Sequence, residues 1–210
     1  MGVQHQCYPC PKKNALDPGI RAGKGELILT TDADCRVPAT WIAGMVACFE
    51  PDVGAVIGFS QIKAPGSPLT CFERLQGFDF LALMSASAGA AHLGFPLAAS
   101  GQNLAYRKTL FEGVGGFGTI AHRPSGDDVL LIQLMRRRGN GRIVFAGDPE
   151  TFVSTWRTES IGGFCQQRRR WASNAFYRDC LKNGQMGLSV ALVDQYSPGN
   201  SKSIWTKSAG

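Results

Sequence analysis

Two aspartates spaced one residue apart, Asp32 and Asp34, follow directly on the short apolar run Leu27 to Leu29. Bounded by Gly25 and Pro38, the run reads as a buried strand of a parallel sheet. Ligands of open α/β sheets bind beyond the carboxyl ends of the strands, which is where these carboxylates fall. They are hard oxygen ligands, suited to Mg2+ or Mn2+ shared with a substrate's phosphates. The structural alternative is a solvated turn, since Asp is common after any strand. A second acidic pair, Asp127 and Asp128, opens a helix, where one of the two could take a hydroxyl proton as a general base. The same residues also serve as a helix start: Ser125-x-x-Asp128 matches a capping box, and acids there favour the dipole. Gln167, Arg170 and Trp171 are spaced to share one helical face. Arginine offers a fork of donors for a diphosphate, tryptophan a flat platform for a sugar ring, and glutamine a neutral donor and acceptor. Without a ligand, that stripe would be an amphipathic helix with Trp171 in the core and its arginines solvated.

The elements that must position these groups follow from periodicity. Residues 1–11 have none and read as a lead-in; Lys12 to Ala22 predicts a short helix interrupted at Pro18 and Gly19. Thr40 can cap a helix from Trp41 to about Phe49, with Ile42, Met45, Val46 and Phe49 at helical spacing. Val53 to Ile57 is a second buried strand, followed by a Gly/Pro loop through Pro68. Leu69 to about Ala91 is helical, and Gly94 to Asn103 is a loop with the polar centre Ser100-Gly101-Gln102-Asn103. Leu104 to Phe111 is a strand passing into a short helix, closed by Gly113 to Phe117. Val129 to Arg138 is a helix ended by Gly139-Asn140-Gly141, Arg142 to Ala146 a strand, and Thr158 or Ser160 opens the helix that carries Trp171. Residues 182–210 dissolve into Gly, Ser, Asn and Pro and read as a poorly ordered tail.

A hydrophobic fraction of 44% over 210 residues supports one sizeable core, and therefore one domain. The formal charge of +6 suits an anionic partner: a nucleotide diphosphate, nucleic acid or acidic lipid. Arg136, Arg137 and Arg138 do not require nucleic acid, because cations in the last turn of a helix complement its dipole. Seven scattered cysteines form no disulfide framework, which favours a reducing compartment. Cys7 and Cys10 lack a second ligand pair for zinc, with only His5 nearby. No signal peptide is visible. The longest apolar stretch, Phe80 to Ala99, contains Ser85, Ser87 and His92 and suits a buried or interfacial helix better than a span.

Taken together and in order, the pieces resemble the family 2 glycosyltransferases of GT-A fold, of the cellulose-synthase and hyaluronan-synthase type. The matching text is T-T-D-A-D-C at 30–35, S-G-Q-N-L-A-Y-R-K at 100–108, G-G-F at 115–117, S-G-D-D at 125–128 and Q-R-R-R-W at 167–171. The resemblance implies a mixed, mostly parallel sheet flanked by helices, with residues 12–181 as a partial catalytic domain. It implies a nucleoside-diphosphate sugar held through metal on Asp32 and Asp34, and a saccharide or lipid-linked acceptor. The base would be Asp128, supported by Asp127. Gln167, Arg170 and Trp171 would lie near the acceptor and the leaving diphosphate, and Gly101, Gln102 and Asn103 would line the pocket.

Two departures are visible. The family's V-S-V-I-I-P-type first strand has no counterpart before Lys12, and a polar tail stands where the branch carries membrane helices. The chain looks like the catalytic middle of a longer protein held at the cytoplasmic face of an inner or plasma membrane. On its own it would be soluble and cytoplasmic. The expected function is inverting sugar transfer to a hydroxyl, with no nucleic acid involved. The rivals are a non-catalytic basic module gripping phosphates of nucleic acid or acidic lipid, and an inactive truncated transferase.

Overall fold

In the computed structural model, residues 8–63, 70–96, 99–122, 126, 128–175 and 201–203 are described. The strands are β1 (Leu27–Asp32), β2 (Val53–Gly58), β3 (Ser60–Lys63), β4 (Leu104–Arg107), β5 (Arg142–Ala146), β6 (Val153–Trp156) and β7 (Ser201–Ser203). The helices are α1 (Pro11–Ala22), α2 (Trp41–Ala47), α3 (Cys71–His92), α4 (Lys108–Gly113), α5 (Val129–Arg138) and α6 (Ile161–Ala175). Together they make a mixed α/β fold: a five-stranded sheet in the order β5-β2-β4-β1-β7, and a separate β3-β6 pair. β2 runs parallel to β5, and β3 to β6. β1 departs from its expected setting, because β4 lies antiparallel to it, as does β7. An unbroken apolar run records burial on both faces, and neighbours of either direction can provide that.

Successive side chains of β1 point to opposite faces of the sheet. Ile28 joins Leu16, Tyr106, Phe117 and Leu131 beneath α1 and α5, while Leu29 joins Trp41, Met45 and Val56 beneath α2. β2 is buried at every position, as a strand covered on both faces must be. A third cluster, Phe80, Met84 and Trp171, joins α3 to α6.

Several local expectations are corrected. α1 continues through Pro18, and burial of Leu16 and Ile20 offsets the lost hydrogen bond, which costs about 3 kcal/mol. α2 turns Trp41 and Met45 inward and leaves Ile42 and Val46 exposed. Thr40 does not cap it; its hydroxyl donates to the Glu150 carbonyl at 2.9 Å. A reciprocal capping box forms at α3 instead, between Thr70 and Glu73. β3 falls inside the segment expected as a loop, and β6 was not anticipated; Ser-Gln-Ile-Lys and Val-Ser-Thr-Trp are too short and polar to show a period.

Most of the lead-in, with His5 and Cys7, and most of the tail lie outside the described residues; Ser201–Ser203 forms β7. Among the described residues, no helix is long and apolar enough to cross a membrane. α3 is buried along Gln76, Phe80, Met84 and Ser87 and exposes Leu75, Phe78 and Leu81.

Candidate active site

Asp32 ends β1 with its side chain only 3% exposed, and its Oδ1 lies 3.0 Å from Nζ of Lys12 on α1. A carboxylate in such a place needs a counter-charge, and a buried ammonium needs one equally. This pairing explains how a lysine comes to be buried on the inner face of α1. Asp128 provides the other half of the cluster. Its Oδ1 accepts from Val129 N at 2.8 Å, so it caps α5, and its Oδ2 accepts from Gly101 N at 2.5 Å. Capping and site membership are therefore both true of Asp128.

Gly101 has no room for a side chain, since a Cβ there would stand 2.6 Å from Lys12 Nζ and 2.8 Å from Asp128 Oδ2. Lys12, Thr30, Gly101 and Asp128 line one small cavity, floored by Leu104, Tyr106 and Leu131. The atoms that Gly101 crowds are the ends of two rotatable side chains rather than backbone, so a methyl would displace Lys12 Nζ and Asp128 Oδ2 from their partners. Gly101→Ala is thus expected to melt within a few degrees of wild type yet cut turnover about tenfold or more, because small misplacements of reacting groups are costly. Thermal melts paired with a turnover assay check this.

Beyond β1 the chain turns, with Cys35 N donating to the Asp32 carbonyl at 3.1 Å. Asp34 is exposed on this turn. Burial, and then the charges of Asp32 and Asp34, push the Cys35 thiol far above its ordinary range, so it stays protonated in the metal-free chain at neutral pH. The donor set fits a hard divalent cation. Asp34 is accessible, Asp32 already balances a positive charge, and such metals take one or two carboxylates and fill their shell with water and phosphate oxygens. Among the described residues no three His, Cys, Asp or Glu side chains group as a complete ligand set. Asp127 and Ser125 lie outside the described residues.

The loop before β4 holds the sheet together. Asn103 is fully buried, its Oδ1 accepting from Trp41 Nε1 at 2.9 Å and its Nδ2 donating to the carbonyls of Phe59 and Thr151, each at 2.8 Å. Its amide is thus spent on protein groups. Gln102 is also fully buried, its backbone N–H directed at Ser100 Oγ.

α6 begins where Ser160 Oγ accepts from Gly163 N at 3.1 Å. It is fixed to α3 by Gln76, whose Oε1 accepts from Thr158 N and Oγ1 at 2.9 and 2.8 Å. Trp171 is 2% exposed and lies against Phe80, with the Arg168 guanidinium 3.9 Å over its ring. Arg168 also pairs with Asp79 and donates to Gln167 Oε1 at 3.0 Å. Trp171 therefore sits in the α3–α6 core, and Gln167 and Arg170 are half-buried beside it. The structure brings Asp32, Gly101 and Asp128 together, while Trp171 and Arg168 face α3. Lys12 was missed, because a Lys-Lys pair at a helix start reads as solvent-facing.

Comparison with known proteins places the chain among the glycosyltransferases. It belongs to glycosyl transferase family 21, whose sequence model matches residues 3–182, rather than to the family 2 its motifs resemble. An N-acetylglucosaminyltransferase of Sinorhizobium fredii (strain NBRC 101917 / NGR234) is 29% identical over 177 residues, 81% of this chain and 41% of that protein. One of Rhizobium meliloti (strain 1021) is 26% identical over 194 residues, 89% of this chain and 43% of that protein. The chain thus spans less than half the length of these relatives. Among solved structures, mannosyl-3-phosphoglycerate synthase from Rubrobacter xylanophilus aligns with a TM-score of 0.45 at 15% identity, over 96% of this chain and 61% of that one.

Proposed function

We propose that this chain forms the catalytic part of an inverting glycosyltransferase, moving a sugar from a nucleoside-diphosphate donor to an acceptor hydroxyl. The observation that carries the reading is the meeting of Asp32 and Asp128, from distant parts of the chain, around Lys12 and Gly101. Asp128 takes the acceptor's proton as its oxygen attacks the anomeric carbon from the face opposite the diphosphate, with Asp127 as a supporting carboxylate. Its orientation is held by the two backbone N–H groups of Gly101 and Val129. A single displacement inverts the anomeric centre. Asp32 and Asp34 would hold Mg2+ or Mn2+, which when bound neutralises charge on the departing diphosphate. Gln167 and Arg170 are assigned to the leaving group and acceptor, Arg170 acting electrostatically. Trp171 supports that helix from inside, and Gln102 and Asn103 shape the pocket wall from behind. The names of the relatives suggest N-acetylglucosamine as the transferred sugar. A saccharide or lipid-linked acceptor, and attachment to a membrane through further segments, belong to the same proposal.

Asp34 is the clean test, because it is exposed, whereas removing Asp32 strands a buried lysine. Calorimetric titration of UDP-N-acetylglucosamine with manganese is expected to show binding that Asp34→Asn weakens at least about tenfold, the loss of one charge-assisted ligand. Steeply salt-dependent binding of polyanions, unchanged by that substitution, would instead identify a basic phosphate-gripping module.

A further inference from the structure

We infer that Trp156, with Arg36 laid over one of its faces, is a platform for a pyranose ring of the acceptor saccharide; this rests on the transferase reading above. Trp156 ends β6 with 42% of its surface exposed, directly after buried Val153, Ser154 and Thr155. The other two described tryptophans, Trp41 and Trp171, are 0% and 2% exposed. A tryptophan with a purely structural role belongs inside, where its large apolar area stabilises most.

Its position relative to the D-x-D turn follows from backbone pairing. Arg36 N donates to the Ser154 carbonyl at 2.7 Å, and Ser154 N donates to the Arg36 carbonyl at 2.9 Å, an antiparallel bridge. Stepping back from Arg36 towards Asp34 therefore means stepping forward from Ser154 towards Trp156. The exposed indole thus lies against Arg36, two residues beyond Asp34 on the turn that follows β1. The Arg36 guanidinium lies 4.7 Å from the ring centroid and, among the described residues, has no carboxylate partner. It holds the ring from one side by cation–π attraction and keeps its outer N–H donors for a ligand.

A flat aromatic face beside unspent donors suits a ring with one apolar C–H face and a rim of hydroxyls. Two parts of the substrates present flat surfaces, the acceptor sugar and the donor's nucleobase. The rim position decides between them. Pockets for compact ligands bury most of the ligand's surface, whereas an extended acceptor must pass out over an open edge.

The test compares wild type, Trp156→Ala and Trp156→Phe in two separate titrations. In the first, neutral oligosaccharides (N-acetylglucosamine, glucose and mannose tetrasaccharides) are titrated by saturation-transfer NMR. In the second, UDP-N-acetylglucosamine with manganese is titrated by calorimetry. Trp156→Ala is expected to weaken binding of the tetrasaccharide that wild type takes by about tenfold or more, the effect of removing an aromatic anchor. Trp156→Phe should stay within about threefold, since a smaller ring still stacks. Sugar-nucleotide affinity should be unchanged in both. Equal oligosaccharide binding by wild type and Trp156→Ala, or no oligosaccharide binding by wild type, overturns the inference. A loss of nucleotide affinity with saccharide binding intact also overturns it, by giving the ring to the nucleobase. Failure of the transferase reading looks different: the nucleotide titration then shows no dependence on manganese or Asp34.

Discussion

Replacing Asp128 by asparagine lowers turnover at least about a hundredfold and leaves the protein folded. The carboxylate has two separable duties. As a cap it accepts from Val129 N, and as a tie it accepts from Gly101 N. An asparagine keeps one carbonyl oxygen and can still accept from one of these donors. The other N–H then faces an amide NH2, which costs about 1–3 kcal/mol. The chain should melt several degrees lower but remain cooperative, while the capacity to accept a proton at neutral pH disappears altogether. The measurement is turnover with a sugar nucleotide and acceptor in the full-length protein, beside a thermal melt of the same preparation. Near-normal transfer by a folded Asp128→Asn variant would remove Asp128 from the base role and return it to capping α5. Asp128→Glu sharpens the comparison. It keeps the charge but displaces it beside Gly101, so it should recover more stability than activity.

Asn103→Leu has the largest expected effect on stability, on the order of 3 kcal/mol, since the Trp41 indole N–H and the Thr151 carbonyl lose their partner and the Phe59 carbonyl loses one of two. Those groups are the indole N–H of Trp41 on α2, the carbonyl of Phe59 after β2 and the carbonyl of Thr151 before β6. One side chain thus joins the main sheet, a helix on one of its faces and the second strand pair. Leucine matches the volume but offers no donor or acceptor, and of the three groups the Phe59 carbonyl alone keeps a second donor, Val153 N at 3.0 Å. Gly58 shows how closely the amide is held: a Cβ at that position would run into the Asn103 side chain. A globular domain has only about 5–15 kcal/mol of stability in all, so this one change should lower the denaturation midpoint markedly. Urea or thermal unfolding of the isolated chain checks it. A shift below about 1 kcal/mol would mean that the three groups find water or one another and that the clamp is not limiting. The result also bears on function, because residue 103 lies in the motif that resembles a substrate-binding loop. The geometry predicts that its substitution lowers activity through stability, while Gly101 acts on the site directly.

The elements with strong local signals were legible from the sequence. Val129–Arg138 and Arg142–Ala146 have the bounds that periodicity predicts, because an apolar stripe and a terminating Gly-Asn-Gly are local facts. The same holds for β2 and for α3, within two residues at its ends. The aspartates at 32, 34 and 128 are candidates by chemistry alone, as acids placed where a strand or a helix meets a loop, and the structure brings 32 and 128 to one cluster. The glycosyltransferase class was legible too, from motif order, although the matching family is 21.

What spacing could not supply is which distant groups face one another. Lys12 reads as a solvent-facing cation, and only the closure of α1 over the sheet buries it against Asp32. Trp171 has the spacing of a ligand stripe but lies on Phe80, because the face a helix buries is chosen by its neighbour, here α3, and not by its own period. β1 is antiparallel to β4 although its apolar run suits either direction. The β3–β6 pair, which brings Trp156 against Arg36, consists of segments too short to show a pattern. In each case the deciding energy comes from desolvation and pairing between residues far apart in the chain. Those terms exist only after the fold has closed, so the sequence alone determined the chemical groups and the local elements, and the tertiary structure decided which of them meet.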